Sequence, residues 1–269
     1  MEDVLKVKEK NIIDVNAYIG NWPFRRLRYN TAEGIRELMK RYKIKKCVVS
    51  SLNGVLYKNT QNANEDLYQE IKKYPRSFIP LACINPYYPG WEEDLRICIN
   101  KMKMKGIRLY PNYHNYKLTD ECCKKLVNVA IENSLPVFIS IRVEDKRGAH
   151  WLMVVDEVDI EDVGKLINEY PECVFVLTNI SASQIIKLKN MTENKNFYVE
   201  ISRLEAFGHY DNPRLIDIIK MVGIERVLFG TSMCMEYPLS SFFKVESLNI
   251  SEEDKKLIYY KNAERLFKL

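Results

Sequence analysis

The feature that most limits what this 269-residue chain can fold into is its rhythm. Apolar, β-branched runs recur along its length: IIDVNAYI, KCVVSSL, FIPLACI, GIRLYP, PVFISIRV, CVFVLTNI, FYVEIS and RVLFGTS. Segments of helical period stand between them. TAEGIRELMKRY opens on Thr31 as a candidate N-cap, LTDECCKKLVNVAIENS offers Thr119 or Asp120, and ISEEDKKLIYYKNAERLF starts at Ser251, three residues before Asp254. Tyr74-Pro75 and Tyr170-Pro171 act as stop signals, because proline cannot continue a helix. Strands alternating with helices imply parallel pairing, and the number of runs implies closure into an α/β (β/α)8 TIM barrel, one domain over residues 1–269. A doubly wound open sheet is the alternative, but no G-x-G-x-x-G follows the first strand.

A hydrophobic share of 46% is enough for such a core, and with only 10 Gly and 10 Pro there is no low-complexity linker. No apolar run approaches the roughly 20 residues that cross a bilayer. The charged N-terminus MEDVLKVKEK does not read as a secretory signal, so a cytoplasmic protein without a membrane partner is expected. The 41 basic and 36 acidic residues are interspersed, as on solvated helix faces, and nucleic acid is not an expected partner. The seven Cys form no C-x-x-C pair and read as reduced, buried thiols.

In a barrel of this kind the site forms at the C-terminal strand ends. Near that end of the first strand, Asp14, Asn16 and Tyr18 alternate and so share one face. Arg108, Arg142 and Arg203 lie at or near other such ends, with Ser140, Arg142 and Glu144 alternating along one expected strand. Converging guanidinium groups favour a carboxylate or phosphate, whereas structural pairing with Asp14, Glu144 or Glu200 is the competing reading. The basic stretch FRRLRY, with Arg25, Arg26 and Arg28, reads as a solvated loop. All three His (His114, His150 and His209) fall in loops after strands, where a proton carrier belongs. Glu200 and Ser202 occupy the inward stretch of the seventh run; Glu200 is either a base or one half of a buried ion pair. Cys234 follows the eighth run, as a nucleophile if His209 reaches it and otherwise as part of an apolar wall.

These stretches resemble one family, the amidohydrolase-related metal-dependent hydrolases, in the branch that includes aminocarboxymuconate-semialdehyde decarboxylase. IIDVNAYIG is similar to the family's first strand, NANEDLYQEIKKYPRSFIPLACINP to its helix through third strand, PECVFVLTNIS to its sixth and RVLFGTS to its eighth. The resemblance implies ligands to one or two divalent metals, yet at those positions this chain carries Asn16, Tyr18, Ser140, Asn179 and Ser232. Neutral amide, hydroxyl and phenol groups are poor zinc ligands, so no metal and no other cofactor is expected. A relocated metal site using the loop His and Glu200 is a weaker alternative. The expected function is a metal-free hydrolase or lyase acting on a small carboxylate or lactone-like anion. Glu200, His150 and His209 are the catalytic candidates, and Asn16, Tyr18, Arg108, Ser140, Arg142, Asn179 and Ser232 the substrate-binding ones. The competing function is a pseudoenzyme that binds a small ligand or a protein partner; self-association as a homodimer is left open.

Overall fold

A computed structural model describes residues 11–192, 196–204 and 212–269. Its strands run in parallel in chain order. β1 (Ile12–Ile19) pairs with β2 (Ile44–Ser51), and β2 with β3 (Phe78–Pro80). β4 (Ala82–Cys83), β5 (Ile107–Leu109), β6 (Val137–Ser140), β7 (Phe175–Thr178), β8 (Phe197–Glu200) and β9 (Val227–Leu228) follow. β3 and β4 are two halves of one barrel strand. The Leu81 amide still bonds Val49 of β2, while the Ala82 amide has changed partner to Gly106, just before β5.

The sheet closes on itself, which rules out the open doubly wound alternative. The Val15 amide donates to the Phe229 carbonyl (2.9 Å), the Tyr18 amide to the Met233 carbonyl (2.6 Å), and Ala17 bridges Met233. All eight residues of β1 are buried, as expected of a parallel strand covered on both faces. Among the described residues no helix is long and apolar enough to cross a membrane.

Each run named from the sequence contains a strand, and the caps fall where the residue types allow them. In α1 (Ala32–Arg41) the Thr31 hydroxyl accepts from the Gly34 amide, and Ala32, Ile35, Leu38 and Met39 form the buried stripe. The Ser251 hydroxyl accepts from the Asp254 amide at the start of the helix Glu252–Lys256. Asp120 precedes the helix Glu121–Glu132, but its carboxylate accepts from the Lys117 amide instead of the helix. One expectation fails. β6 ends at Ser140, so Arg142 and Glu144 do not continue its alternation. Its neighbour β7 ends at Thr178, and Asn179 turns left-handed (φ 58°), which removes the ladder beyond Ile141.

Asp14 fastens the closure. Its fully buried carboxyl accepts from the Asn16 amide (2.9 Å), the Thr231 amide (3.1 Å) and the Thr231 hydroxyl, joining β1 to the chain after β9. Burial outweighs those hydrogen bonds and raises its pKa to about 7. Folded Asp14 therefore holds a proton between about pH 4 and pH 7 that the unfolded chain has lost. Its contribution to stability is complete below the unfolded pKa and is lost as pH rises toward 7. The expected loss between pH 5 and pH 7.5 from this group is about 2.5 kcal/mol. Urea denaturation at the two pH values checks it: Asp14→Asn should flatten the slope, and an unchanged slope would remove Asp14 as its source.

Candidate functional site

Arg108 projects from β5 into the centre of the barrel and is only 1% exposed. Its Nε donates to Ser140 Oγ (2.7 Å), and its Nη2 to Asn16 Oδ1 (3.0 Å) and to the Tyr18 hydroxyl. The Tyr18 and Tyr110 rings lie 5.1 and 5.7 Å from the guanidinium carbon. None of these partners carries a negative charge. Nη1 donates to no atom, and no carboxylate lies within ion-pair distance of Arg108, among the described residues. A buried guanidinium almost always has a carboxylate or a ligand beside it.

The nearest negative charge in the network is one residue removed. Asn16 Nδ2 lies within hydrogen-bonding distance of Asn179 Oδ1 (3.0 Å), Glu200 Oε1 (3.2 Å) and Ser232 Oγ (2.8 Å). Its amide thus faces the cation with its oxygen and the acceptors with its nitrogen. Glu200, fully buried, accepts from the Asn179 amide (2.7 Å), the Ser202 amide (2.7 Å), Ser202 Oγ (2.8 Å) and Asn16. Accepting from so many donors is the pattern of a carboxylate. Ser202 Oγ is also 2.8 Å from Ser232 Oγ, which in turn reaches Asn179 Oδ1 (2.8 Å). Asn179 and Ser232 both have left-handed backbone (φ 58° and 56°), a conformation Asn tolerates and Ser adopts only under local constraint. Gly230 makes the crowding possible: a Cβ there would stand 2.3 Å from Glu200 Oε2 and 3.1 Å from Asn16 Cβ.

The structure thus brings Asn16, Tyr18, Arg108, Ser140, Asn179, Glu200 and Ser232 into one network and leaves other sequence candidates outside it. Arg142 shares no hydrogen-bond partner with Arg108. Its guanidinium pairs with Glu157 (3.0 Å), and only its carbonyl joins the network, accepting from Asn179 Nδ2 (2.7 Å). Arg203 pairs with Glu236 (2.8 Å) and lies 4.0 Å from Asp145. His114 is buried, donates from Nε2 to the Gly54 carbonyl (2.8 Å), and is held neutral with a pKa lowered to about 4 by burial. Burial pushes the Cys234 thiol up to about 12, which removes it as a thiolate nucleophile at neutral pH. His209 lies outside the described residues.

Beside Arg108 the packing is aromatic. Tyr18, Trp22, Tyr110 and Met235 belong to one buried cluster, with Phe24, Leu27 and Tyr113 packed against it. The loop after β1 packs across this cluster. Trp22 Nε1 and Arg25 Nε both reach Glu144 (3.1 and 3.2 Å), Arg25 Nη2 bonds the Met235 carbonyl (2.9 Å), and Phe24 stacks on half-buried His150 (5.2 Å). The same loop walls a cleft of about 660 Å³ with Trp22, Arg25, Arg26 and Arg28. These loop-to-loop contacts went unseen in the sequence, where no spacing joins residue 22 to residue 144.

The family described as Amidohydrolase matches residues 26–269. A curated gamma-resorcylate decarboxylase from a Polaromonas species is 38% identical over 76 residues, 28% of this chain and 22% of that protein's length. Solved structures share the fold at lower identity. A dihydroxybenzoic acid decarboxylase from Polaromonas, crystallised with manganese and 2-nitroresorcinol, gives a TM-score of 0.75 at 17% identity, over 97% of this chain and 98% of that one. The 5-carboxyvanillate decarboxylase of Sphingomonas paucimobilis gives 0.73 at 14% identity, over 97% and 100%.

The donor set does not fit a divalent metal. At the five positions where the resemblance places ligands stand two amides, two aliphatic hydroxyls and a phenol. Three of the five, Asn16, Tyr18 and Ser140, accept hydrogen bonds from a guanidinium. Among the described residues no group of three or more His, Cys, Asp or Glu is arranged to hold a metal ion. The packing of this network is open to test without any substrate. Gly230→Ala should destabilise the fold by about 1–3 kcal/mol, the usual range for overpacking. An unchanged urea midpoint would mean that Glu200 and Asn16 have room to yield.

Proposed function

The chain belongs to the amidohydrolase family, and from that premise we propose that it binds and transforms a small carboxylate, an aromatic acid above all, without a metal. Arg108 carries the reading: a buried guanidinium with no carboxylate partner and an unused Nη1 among the described residues, at the C-terminal end of the barrel. Nη1 and its two hydrogens suit one oxygen of an incoming carboxylate, and the ring cluster of Tyr18, Trp22 and Tyr110 suits an apolar or aromatic body above it. The Arg-lined cleft at the loop after β1 adds a positive approach for an anion. The decarboxylase names of the relatives favour cleavage at a carboxylate over ester or amide hydrolysis.

Breaking the carbon–carboxylate bond releases carbon dioxide and leaves a carbon that must take one proton. In this reading Glu200 accepts that proton from a hydroxyl of the substrate through Ser202 Oγ and Ser232 Oγ and returns it to the carbon. The two hydroxyls are 2.8 Å apart, and the first is 2.8 Å from the carboxylate. Ser232 also touches Asn16, which holds the Arg108 fork, so the proton path and the anion anchor share one neighbour. His150 sits further out, beside Phe24, and serves the mouth.

A panel of hydroxylated benzoates and related acids, followed by carbon dioxide release and by calorimetric binding, tests the proposal. Glu200→Gln should lower turnover by at least about 100-fold while leaving ligand affinity within a few-fold, the range expected when a proton carrier is lost. Arg108→Lys, which keeps the charge but not the fork, should weaken binding by about tenfold or more. Binding without turnover across the panel would favour the pseudoenzyme. Absence of binding by any acid would end the carboxylate reading.

A further inference from the structure

We propose that the Arg108 guanidinium is this barrel's built-in replacement for a divalent cation: a fixed internal cation, held by the side chains that stand at the ligand positions, whose presence itself keeps metals out. The inference deepens the carboxylate reading and rests on it for its role, but its geometry stands alone. Asn16, Tyr18 and Ser140 come from β1 and β6, on different sides of β5. They converge on a single side chain of a strand that supplies none of the five ligand positions. Each presents an oxygen lone pair, the part a ligand would offer to a metal, and each lone pair is taken by an N–H.

The arrangement also explains why the substitutions occur together. A histidine at residue 16 would have to face both the Arg108 N–H and the three acceptors Glu200, Asn179 and Ser232, and a neutral imidazole offers a single N–H where the amide offers two hydrogens. The amide does both, with Oδ1 toward Arg108 and Nδ2 toward Glu200, Asn179 and Ser232. An aspartate at residue 232, 2.8 Å from Asn16 Nδ2, would add a second carboxylate beside Glu200. A doubly charged ion entering this network would meet a guanidinium at close range in a dry site, where like charges repel far more than in water. A cation that cannot dissociate gives the site one charge at all metal concentrations and under chelation.

Metal binding and chemical rescue test this, and neither reads turnover, so a failed substrate screen and a failed cation proposal are distinguishable. In the first arm four of the five ligand positions are restored by Asn16→His, Tyr18→His, Ser140→His and Ser232→Asp, once with Arg108 kept and once with Arg108→Met. Zinc titration should show at least about tenfold weaker binding where Arg108 remains. Equal affinity in the two chains would overturn the proposal. The second arm uses Arg108→Ala in the otherwise unchanged chain, which leaves three oxygen acceptors around a cavity. Millimolar guanidinium should raise its melting temperature relative to sodium chloride and leave that of the unchanged protein as it was, whereas zinc and manganese should raise neither. A variant that folds only when guanidinium is supplied also supports the proposal. One that stays unfolded with it, or that is stabilised by divalent metal instead, overturns it.

Discussion

A guanidinium held away from water with no carboxylate beside it is the constraint around which the barrel's centre is built. Removing such a charge from water costs several kcal/mol even after relaxation, and it is tolerated only where hydrogen bonds and local dipoles replace the lost hydration. Arg108 is given the Ser140 hydroxyl, the Asn16 carbonyl oxygen, the Tyr18 phenol and two ring faces. These offset part of the cost and leave one nitrogen unused. The orientation of nearly every neighbour follows. Asn16 must turn its oxygen toward Arg108, so its nitrogen faces Asn179, Ser232 and Glu200. Asn179 then accepts from Asn16 and from Ser232, and its own nitrogen is left for the Arg142 carbonyl.

The fold was legible because it rests on repetition. Eight runs with helical segments between them restrict the topology on their own, and caps such as Thr31 and Ser251 need only local chemistry. The convergence of Asn16, Tyr18, Arg108, Ser140, Asn179, Glu200 and Ser232 on one another was legible as well, since residues at strand ends of a barrel converge. Its pairing was not. Arg142 resembles Arg108 in sequence, each near a C-terminal strand end, yet Glu157 claims the one and no carboxylate claims the other. That difference goes with where β6 stops: it ends at Ser140, beside the point where Asn179 of the neighbouring chain segment turns left-handed. A backbone angle on one strand thus accompanies the partner choice of an arginine on the next, and no single-strand pattern records it. The Trp22–Glu144–Arg25 contact has the same character: two loops meet because the barrel brings them together.

Charge balance ties the centre to the closure. Among the described residues the interior contains the Arg108 guanidinium, the Lys244 ammonium bonded to the Ile201 and Ser202 carbonyls, and two fully buried carboxyl groups, Asp14 and Glu200. One negative charge is enough to neutralise Arg108, and a second would face both low dielectric and the first. Glu200 sits one amide away from Arg108 and is surrounded by donors. Asp14 is bonded to the Thr231 backbone and hydroxyl, and the repulsion of Glu200 joins burial in raising its pKa. The proton on Asp14 and the missing counter-ion of Arg108 are therefore parts of one distribution. The barrel places one carboxylate next to the amide bridge, keeps the other protonated below about pH 7 at the seam, and leaves one nitrogen of the Arg108 fork without a hydrogen-bond partner among the described residues.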